Sequence, residues 1–545
     1  MARNAADSKA HTIGQHSVNS VGTSGSVWLN PAPIEWFFLA VGLCLVLRYL
    51  WMLDDSFIYY RYVDNFLFLH RGLVFNQGEY VEGYSSPLWL LVLVAFRVMH
   101  FDYWTITSTI AVVAFCAFGY VCILTNRLLY SDKSGSPINV PLVYLSTAYC
   151  VTSYFSSGSE SPLMQLVAAA VALHALFPRS RVVQVMLGAM PLVRNEFVVP
   201  LAVTIICSWF LMRRVPWALI VSAAVLGTSW LAFRVYYYAD FFPTPFYLKD
   251  KIAIAQGLHY VRNCFEPYGF HSLLASALII LIVLWKFRDL GINWRVRGLM
   301  WAVAASSVPY VIKVGGDMMH YRLLAFPFCL GVLSLGGLAE RLLSIVRLVP
   351  SALGRSFISI AIGAVCFINY PRFLSSHPIW GHEERKLDHG ISDAPWHRHH
   401  PDLAFSESRK AQDRLRLSQY AATKAAYQNV TVEPFCATMF VEFGKQYVHA
   451  YGLTDPVLAR IDTPEERPGH KPGLWLPALE LANLRSRYRK TTIGLVSRAI
   501  RDGVAPKWMT KNENKIRMIE ARMYNFHSFF DNFVNASRRI ESIKL

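Results

Sequence analysis

The chain has 545 residues, 54% of them hydrophobic and 16% charged, with a net charge of +17 and a mean hydropathy of +0.30. A soluble protein carries about 25% charged residues, so this composition excludes an ordinary soluble enzyme and points to many membrane-spanning helices. The basic balance does not argue for nucleic acid: in a chain this apolar, Lys and Arg collect at helix ends through the positive-inside bias and attraction to anionic lipid.

Residues 1–30 are rich in Ser, Asn and Gly and read as a disordered cytoplasmic tail. Residues 31–371 follow as a transmembrane module. Its apolar runs are Ile34–Leu53 (an uncleaved signal-anchor), Pro87–Met99, Trp104–Leu124, Val140–Tyr154, Pro162–Phe177, Val182–Leu192, Val198–Met212, Val215–Val235, Leu273–Trp285, Met300–Lys313, Leu323–Ile345 and Phe357–Asn369. Crossing a bilayer core of about 30 Å takes about 20 residues of helix. Several runs are shorter, and tilted or broken helices are tolerated where they line a cavity.

The basic clusters Arg179/Arg181, Arg213/Arg214, Lys286/Arg288, Arg295/Arg297 and Arg341/Arg347 read as cytoplasmic. This places Asp240–Phe270, the Gly315–Arg322 turn and everything after Tyr370 outside. A cytoplasmic N-terminus puts the acidic loop 54–86 outside as well. Twelve full crossings break that parity, so about eleven transmembrane helices are expected, with one short segment between Val140 and Met212 not crossing. Residues 372–545 are polar and long enough to fold alone. Ser406–Asn429 and Asn512–Ile540 have helical composition, Asn429–Phe443 reads as a strand pair, and Pro464–Gly473 is a loop. The expected fold is therefore an all-α polytopic membrane bundle with a C-terminal α+β extra-membrane domain.

The outer loop opens on Asp54-Asp55-Ser56-Phe57-Ile58-Tyr59-Tyr60-Arg61-Tyr62. An ionised acid at the membrane surface is costly unless it is solvated, paired or placed for work. Transfer of a group from a phosphate to a hydroxyl needs a carboxylate to take the hydroxyl's proton and cations to steady the leaving phosphate. Asp54 or Asp55 suits the first task and Arg61 the second; the plainer alternative is that the aspartates cap the following helix. Next, Gly72–Trp89 is a shaped turn. Tyr84 and Trp89 fit an interfacial aromatic belt, which leaves Glu82 unexplained.

Three polar clusters interrupt the apolar runs: Ser157–Pro162 with Glu160, Arg194-Asn195-Glu196, and Gly315–Arg322 with Asp317 and His320. Ionisable groups at such depth are functional hypotheses by default. Arg194 and Glu196 equally suit a mutual pair. Arg322 offers a planar fork for phosphate beside a glycine turn that lets backbone approach a ligand. Lys249 is a second phosphate candidate, or a snorkelling interfacial lysine. No Walker or Rossmann glycine loop is present, which favours a donor activated by lipid phosphate. Trp396-His397-Arg398-His399-His400 lacks zinc-site spacing and reads as a solvated linker. Cys264 and Cys436 lie in polar segments and would pair only if both face an oxidising space; free thiols are the plainer reading.

In order, these segments read Asp-Asp-x-Phe-Ile-x-x-Arg-Tyr, Gly-Leu-Val-Phe-Asn-x-Gly-Glu-x-Val-Glu-Gly-Tyr-x-Ser-Pro-Leu-Trp, Ser-Gly-x-Glu-x-Pro-Leu, Leu-x-Arg-x-Glu, Tyr-Tyr-x-x-x-x-Pro-x-x-Phe-Tyr-x-Lys and Gly-Gly-Asp-x-Met-x-x-Arg. With Tyr451–Arg460 and Arg467–Lys471 they resemble, from Leu53 to Ala482, the polytopic bacterial glycosyltransferases of the GT-C superfamily. The branch they are most similar to is the terminal arabinofuranosyltransferase family of actinobacterial cell walls. Arg194-Asn195-Glu196 departs from the usual Arg-Pro-Glu, and Ser161 stands where Thr usually follows Glu160.

The resemblance implies a catalytic aspartate in the outer loop, Asp54 or Asp55. Arg61, Glu82, Tyr84, Arg194, Glu196, Lys249, Asp317, His320 and Arg322 would bind donor phosphate or substrate. The donor would be a polyprenyl-phosphate sugar, decaprenyl-phosphate arabinofuranose in the named branch. The acceptor would be a cell-envelope glycan held with help from the C-terminal domain. The setting would be a bacterial inner membrane, multi-pass, with the site facing the periplasm. Membrane lipid is then a partner and nucleic acid is not; no cofactor is called for, though the chemistry leaves room for a divalent metal. Two other classes remain: a related transferase acting on a protein such as pilin, and a non-enzymatic transporter of lipid-linked sugars. The paired repeats of broken helices expected of a transporter are not evident.

Overall fold

The computed structural model describes residues 31–129, 138–249, 252–265, 293–345, 351–375, 430–433, 436–441, 446–461, 474–488 and 494–523. The expected tail, the run Leu273–Trp285, the helical stretch Ser406–Asn429, the loop Pro464–Gly473 and the Trp396–His400 cluster fall outside these residues.

The described chain is mostly helical. Tyr103–Leu129, Trp217–Tyr238 and Arg322–Arg341 are long and apolar enough to cross a membrane by length and composition. Shorter apolar helices include Pro87–Val98, Ser161–Leu176 and Asn195–Phe210. They assemble because their side chains bury one another: Tyr103–Leu129 and Ala325–Leu333 both pack on Ser161–Leu176, and Phe115, Phe118, Phe155, Ala168, Ala172, Phe328 and Leu330 sit in one core. Close approach needs small residues where lipid offers no hydrophobic drive. At Gly42 of the helix Pro33–Arg48, a Cβ would meet the Phe115 ring at 2.3 Å.

Several apolar runs are broken. Val140–Tyr154 becomes Val140–Thr147 and Tyr149–Phe155, parted by the extended residue Ala148. Val182–Leu192 becomes Arg181–Leu187 and Met190–Val193, and Val198–Met212 becomes Val198–Phe210, with Arg194 extended between the two runs. Each break frees backbone groups that need partners. At the break near Gly337, the buried Arg297 supplies donors to the carbonyls of Ser334 and Gly336. Arg297, one of the charges used to orient the chain, is thus a buried cap rather than a surface charge.

A second core joins the loop 54–86 to the C-terminal residues. The helix Ser56–Leu67 buries Phe57, Tyr60 and Tyr62 with Phe440, Tyr447, Leu458 and Leu481. Tyr84 and Trp89 are buried in this cluster; they do not form an exposed aromatic belt. Polar ties lock the two parts together. Asn76 exchanges hydrogen bonds with the Tyr447 backbone at 2.7 and 3.1 Å. Arg485, fully buried, reaches both Glu79 and Asp455 at 2.6 Å. The Asp240 carboxylate takes Arg460 and, at 2.8 Å, Arg522.

Where a strand pair was expected in Asn429–Phe443, β1 (Val430–Glu433) is followed by the helix Cys436–Val441, and β2 is Gln446–His449. The two strands run parallel, Val430 opposite Gln446. A parallel pair cannot close through a tight hairpin and needs a crossover of about a dozen residues, which the intervening helix provides.

Candidate active site

Four breaks in the helical pattern converge on one cavity of about 160 Å³. Asp55 reaches it from the start of Ser56–Leu67, Arg194 and Glu196 from the break before Val198–Phe210, Lys249 from the end of Thr244–Leu248, and Asp317 and Arg322 from the glycine turn. Tyr84 lines it as well, together with Phe242, Phe246 and Tyr310. The turn is tightly shaped: Gly315 and Gly316 both have φ +79°, and a Cβ on Gly316 would lie 2.2 Å from Tyr260. Tyr321, just before Arg322, is left-handed at φ 69°, a conformation a bulky residue adopts only when its surroundings enforce it. Its burial among Tyr154 and Phe328 does so.

The centre of the cluster is Glu160, the residue before Ser161–Leu176. Its Oε1 accepts from Arg194 Nη1 at 2.7 Å and from Arg322 Nη2 at 3.0 Å, and its side chain is wholly buried. Arg194 Nε also donates to Glu196 at 2.5 Å. Arg322 Nη1 donates to Asp55 Oδ2 at 2.8 Å. Lys249 Nζ stands 3.7 Å from Asp317 Oδ2. Two guanidinium forks sharing one buried carboxylate are fixed in direction, as charge-assisted pairs of this kind are.

The two aspartates have different surroundings. Asp55 occupies the helix N-cap position but makes no capping hydrogen bond; its carboxylate, 23% exposed, turns to Arg322. Asp54 accepts the Cys436 backbone N–H at 3.0 Å and so ties the loop 54–86 to the C-terminal region. Asp54, Asp55 and Cys436 each bring one ligand atom within 4.8 Å of the others. The carboxylates are hard donors that fit Mg²⁺ or Mn²⁺, whose remaining positions phosphate oxygens and water would fill. Cys436 is a softer donor, with its Sγ 3.4 Å from His449 Nε2, and fits such an ion less well. Cys436 and Cys264 are free thiols, the latter taking the Tyr321 N–H at 3.0 Å.

Four of the residues singled out from sequence do not line the cavity: Asp54, which ties to Cys436, and Arg61, Glu82 and His320. Arg61 is buried and spends its guanidinium on the carbonyls of Phe75 and Met439 and on the Phe75 and Tyr447 rings. Glu82 is clasped by Arg234 and by Trp230 Nε1 at 3.3 Å. Burial is the larger influence on the Glu82 carboxyl and pushes its pKa up, while Arg234 pulls it back. His320 sits fully buried against Asn263 at 3.0 Å, and burial pulls its pKa well down.

Sequence reading had placed Glu160 and Asn195 in polar clusters without a specific role, and had not singled out Arg234 or Tyr310. Asn195 Oδ1 accepts from Arg234 at 3.2 Å and so joins the cavity to the Glu82 pair. A lone arginine inside the apolar run Val215–Val235 was the available signal for Arg234.

Comparison with known proteins gives one relative of the kind the motif order resembles. The terminal beta-(1->2)-arabinofuranosyltransferase of Mycobacterium tuberculosis is 29% identical over 332 residues, covering 51% of this chain and 51% of that protein. The match thus spans about half the length of the curated relative. No protein-family model matches the chain, and no solved structure does.

Proposed function

We propose that this chain is a glycosyltransferase that moves a sugar, arabinofuranose being favoured, from a polyprenyl-phosphate donor to a cell-envelope glycan. The observation that carries this reading is the Asp55 carboxylate at the cavity, 2.8 Å from Arg322, with Lys249 lining the same cavity. A carboxylate there takes the proton of the attacking hydroxyl. Arg322 and Lys249 steady the negative charge that grows on the departing polyprenyl phosphate. Sugar and phosphate are the substrate classes that such a mixture of acids, bases and aromatic rings suits, and the relative's name agrees with both transfer and sugar. The module comprises about eleven crossings over residues 31–371. The catalytic loop 54–86 and the C-terminal domain, residues 372–545, face the periplasm.

The test is transfer of radiolabel from polyprenyl-phosphate donors carrying arabinose, mannose or galactose to an envelope glycan by the purified full chain in lipid. Arabinose transfer is expected to exceed the other two. No transfer from any donor would overturn the reading, and transfer to pilin instead would reassign the acceptor.

A charge count adds an expectation about metal. Five carboxylates (Asp54, Asp55, Glu160, Glu196 and Asp317) face three cations (Arg194, Arg322 and Lys249) at the site. A phosphate anion deepens that excess, and a divalent ion on Asp54 and Asp55 offsets it. Chelation is therefore expected to lower the initial rate severalfold, with recovery on adding Mg²⁺ or Mn²⁺. An unchanged rate would show that Arg322 and Lys249 suffice.

A further inference from the structure

Most tyrosine hydroxyls around the cavity are used by the fold. Tyr59 accepts the Ser86 N–H at 3.0 Å. Tyr62 accepts the Gly83 N–H at 2.9 Å. Tyr84 and Tyr238 bond each other at 3.0 Å, and Tyr260 donates to the Met319 carbonyl at 2.8 Å. Tyr310 differs: it lines the cavity, it is only partly buried, and its hydroxyl has no hydrogen-bond partner among the described residues.

Its placement follows from sequence. Tyr310 lies in the helix Trp294–Lys313 directly after Pro309, which is inside that helix. An internal proline removes one backbone hydrogen bond and crowds the carbonyl four residues back, so a helix bends there. The last turn, carrying Tyr310, then leads into Gly315, Gly316 and Asp317. The charges whose fields reach the phenol are Glu196, Arg194 and Asp317. Two of these are carboxylates; Asp317 is partly offset by Lys249 at 3.7 Å, and Glu196 is the acid left on the Tyr310 side, which favours hydroxyls over phosphate there. A neutral phenol among carboxylates suits a ligand rich in hydroxyls, because the carboxylates accept sugar O–H groups and the phenol both donates and accepts.

We infer that Tyr310 reads the sugar of the donor, hydrogen-bonding a hydroxyl of the glycosyl unit, while the phosphate is held by Arg322 and Lys249. This rests on the donor proposed above. It assigns the cavity two zones and makes Tyr310 a specificity-determining residue.

The experiment measures equilibrium binding, by the full chain in lipid nanodiscs, of decaprenyl phosphate and of decaprenyl-phosphate arabinofuranose to wild type and to Tyr310→Phe. Phenylalanine keeps the ring and its packing, and an unchanged thermal transition checks the fold. Loss of one neutral hydrogen bond corresponds to about 3- to 10-fold in affinity. The variant is expected to bind the sugar-bearing lipid that much more weakly and the sugar-free lipid equally well. Equal effects on both lipids, or no effect on either, would overturn the assignment. So would a wild type that binds the two lipids alike. Should wild type prefer the glycosylated lipid yet transfer nothing to any acceptor, the transferase reading fails while the sugar contact stands.

Discussion

Replacing Asp55 with asparagine is expected to lower sugar transfer by about 10²- to 10⁴-fold, the usual contribution of a positioned general base. Asparagine is nearly isosteric and keeps an oxygen for Arg322, so the contact at 2.8 Å survives in neutral form. The helix start does not depend on the side chain, which makes no cap. Arg322 retains Glu160 as a counter-charge. Folding and membrane insertion are therefore unaffected, and the loss falls on the proton-accepting step. Asp54→Asn is expected to cost less. Its amide oxygen still accepts the Cys436 N–H, and it forfeits only its share of a divalent ion; with chelator present, the Asp54→Asn and wild-type rates should converge. The initial rate of label transfer from decaprenyl-phosphate arabinofuranose reads both variants. Full activity of Asp55→Asn would remove this residue from the chemistry.

Much of the cavity was legible in sequence for one physical reason. Charge inside an apolar run is expensive, so Asp55, Arg194, Glu196, Lys249, Asp317 and Arg322 stood out wherever they fell, and all line one space. The same reasoning could not separate a group that works from a group that is paired. Arg61 and Glu82 carry the same signal, but their partners are Met439, 378 positions away, and Arg234, 152 positions away. Nothing local announces such pairs. Glu160 was flagged only as the acid of a serine-rich cluster with no stated task, and its weight comes from the convergence of two arginines 34 and 162 positions distant. Tyr310 had no signal of its own, since one tyrosine near a helix end fits an interfacial belt as well as a binding wall. The strand pair failed for a topological reason: propensity marks extended residues, while the parallel pairing of β1 and β2 depends on the helix between them.

Glu160 gives the second large effect. Glu160→Gln removes the one negative charge shared by two guanidiniums that are themselves only 6% and 7% exposed. Breaking a buried pair by deleting one partner costs about 3–5 kcal/mol, because the remaining charge stays desolvated. Here two remain, although Arg194 keeps Glu196 and Arg322 keeps Asp55. The variant is therefore expected to unfold at markedly lower temperature in lipid or detergent and to transfer sugar weakly, since Arg322 no longer has a fixed direction. A double-mutant cycle separates this from a mere packing defect. Arg194→Met alone should also destabilise, but Glu160→Gln combined with Arg194→Met should cost less than the two single changes added together, because the second change deletes a charge that the first left stranded. Strict additivity, or a transition within about 0.5 kcal/mol of wild type for Glu160→Gln, would mean that the two arginines are solvated from the cavity. Glu160 would then not be what holds them.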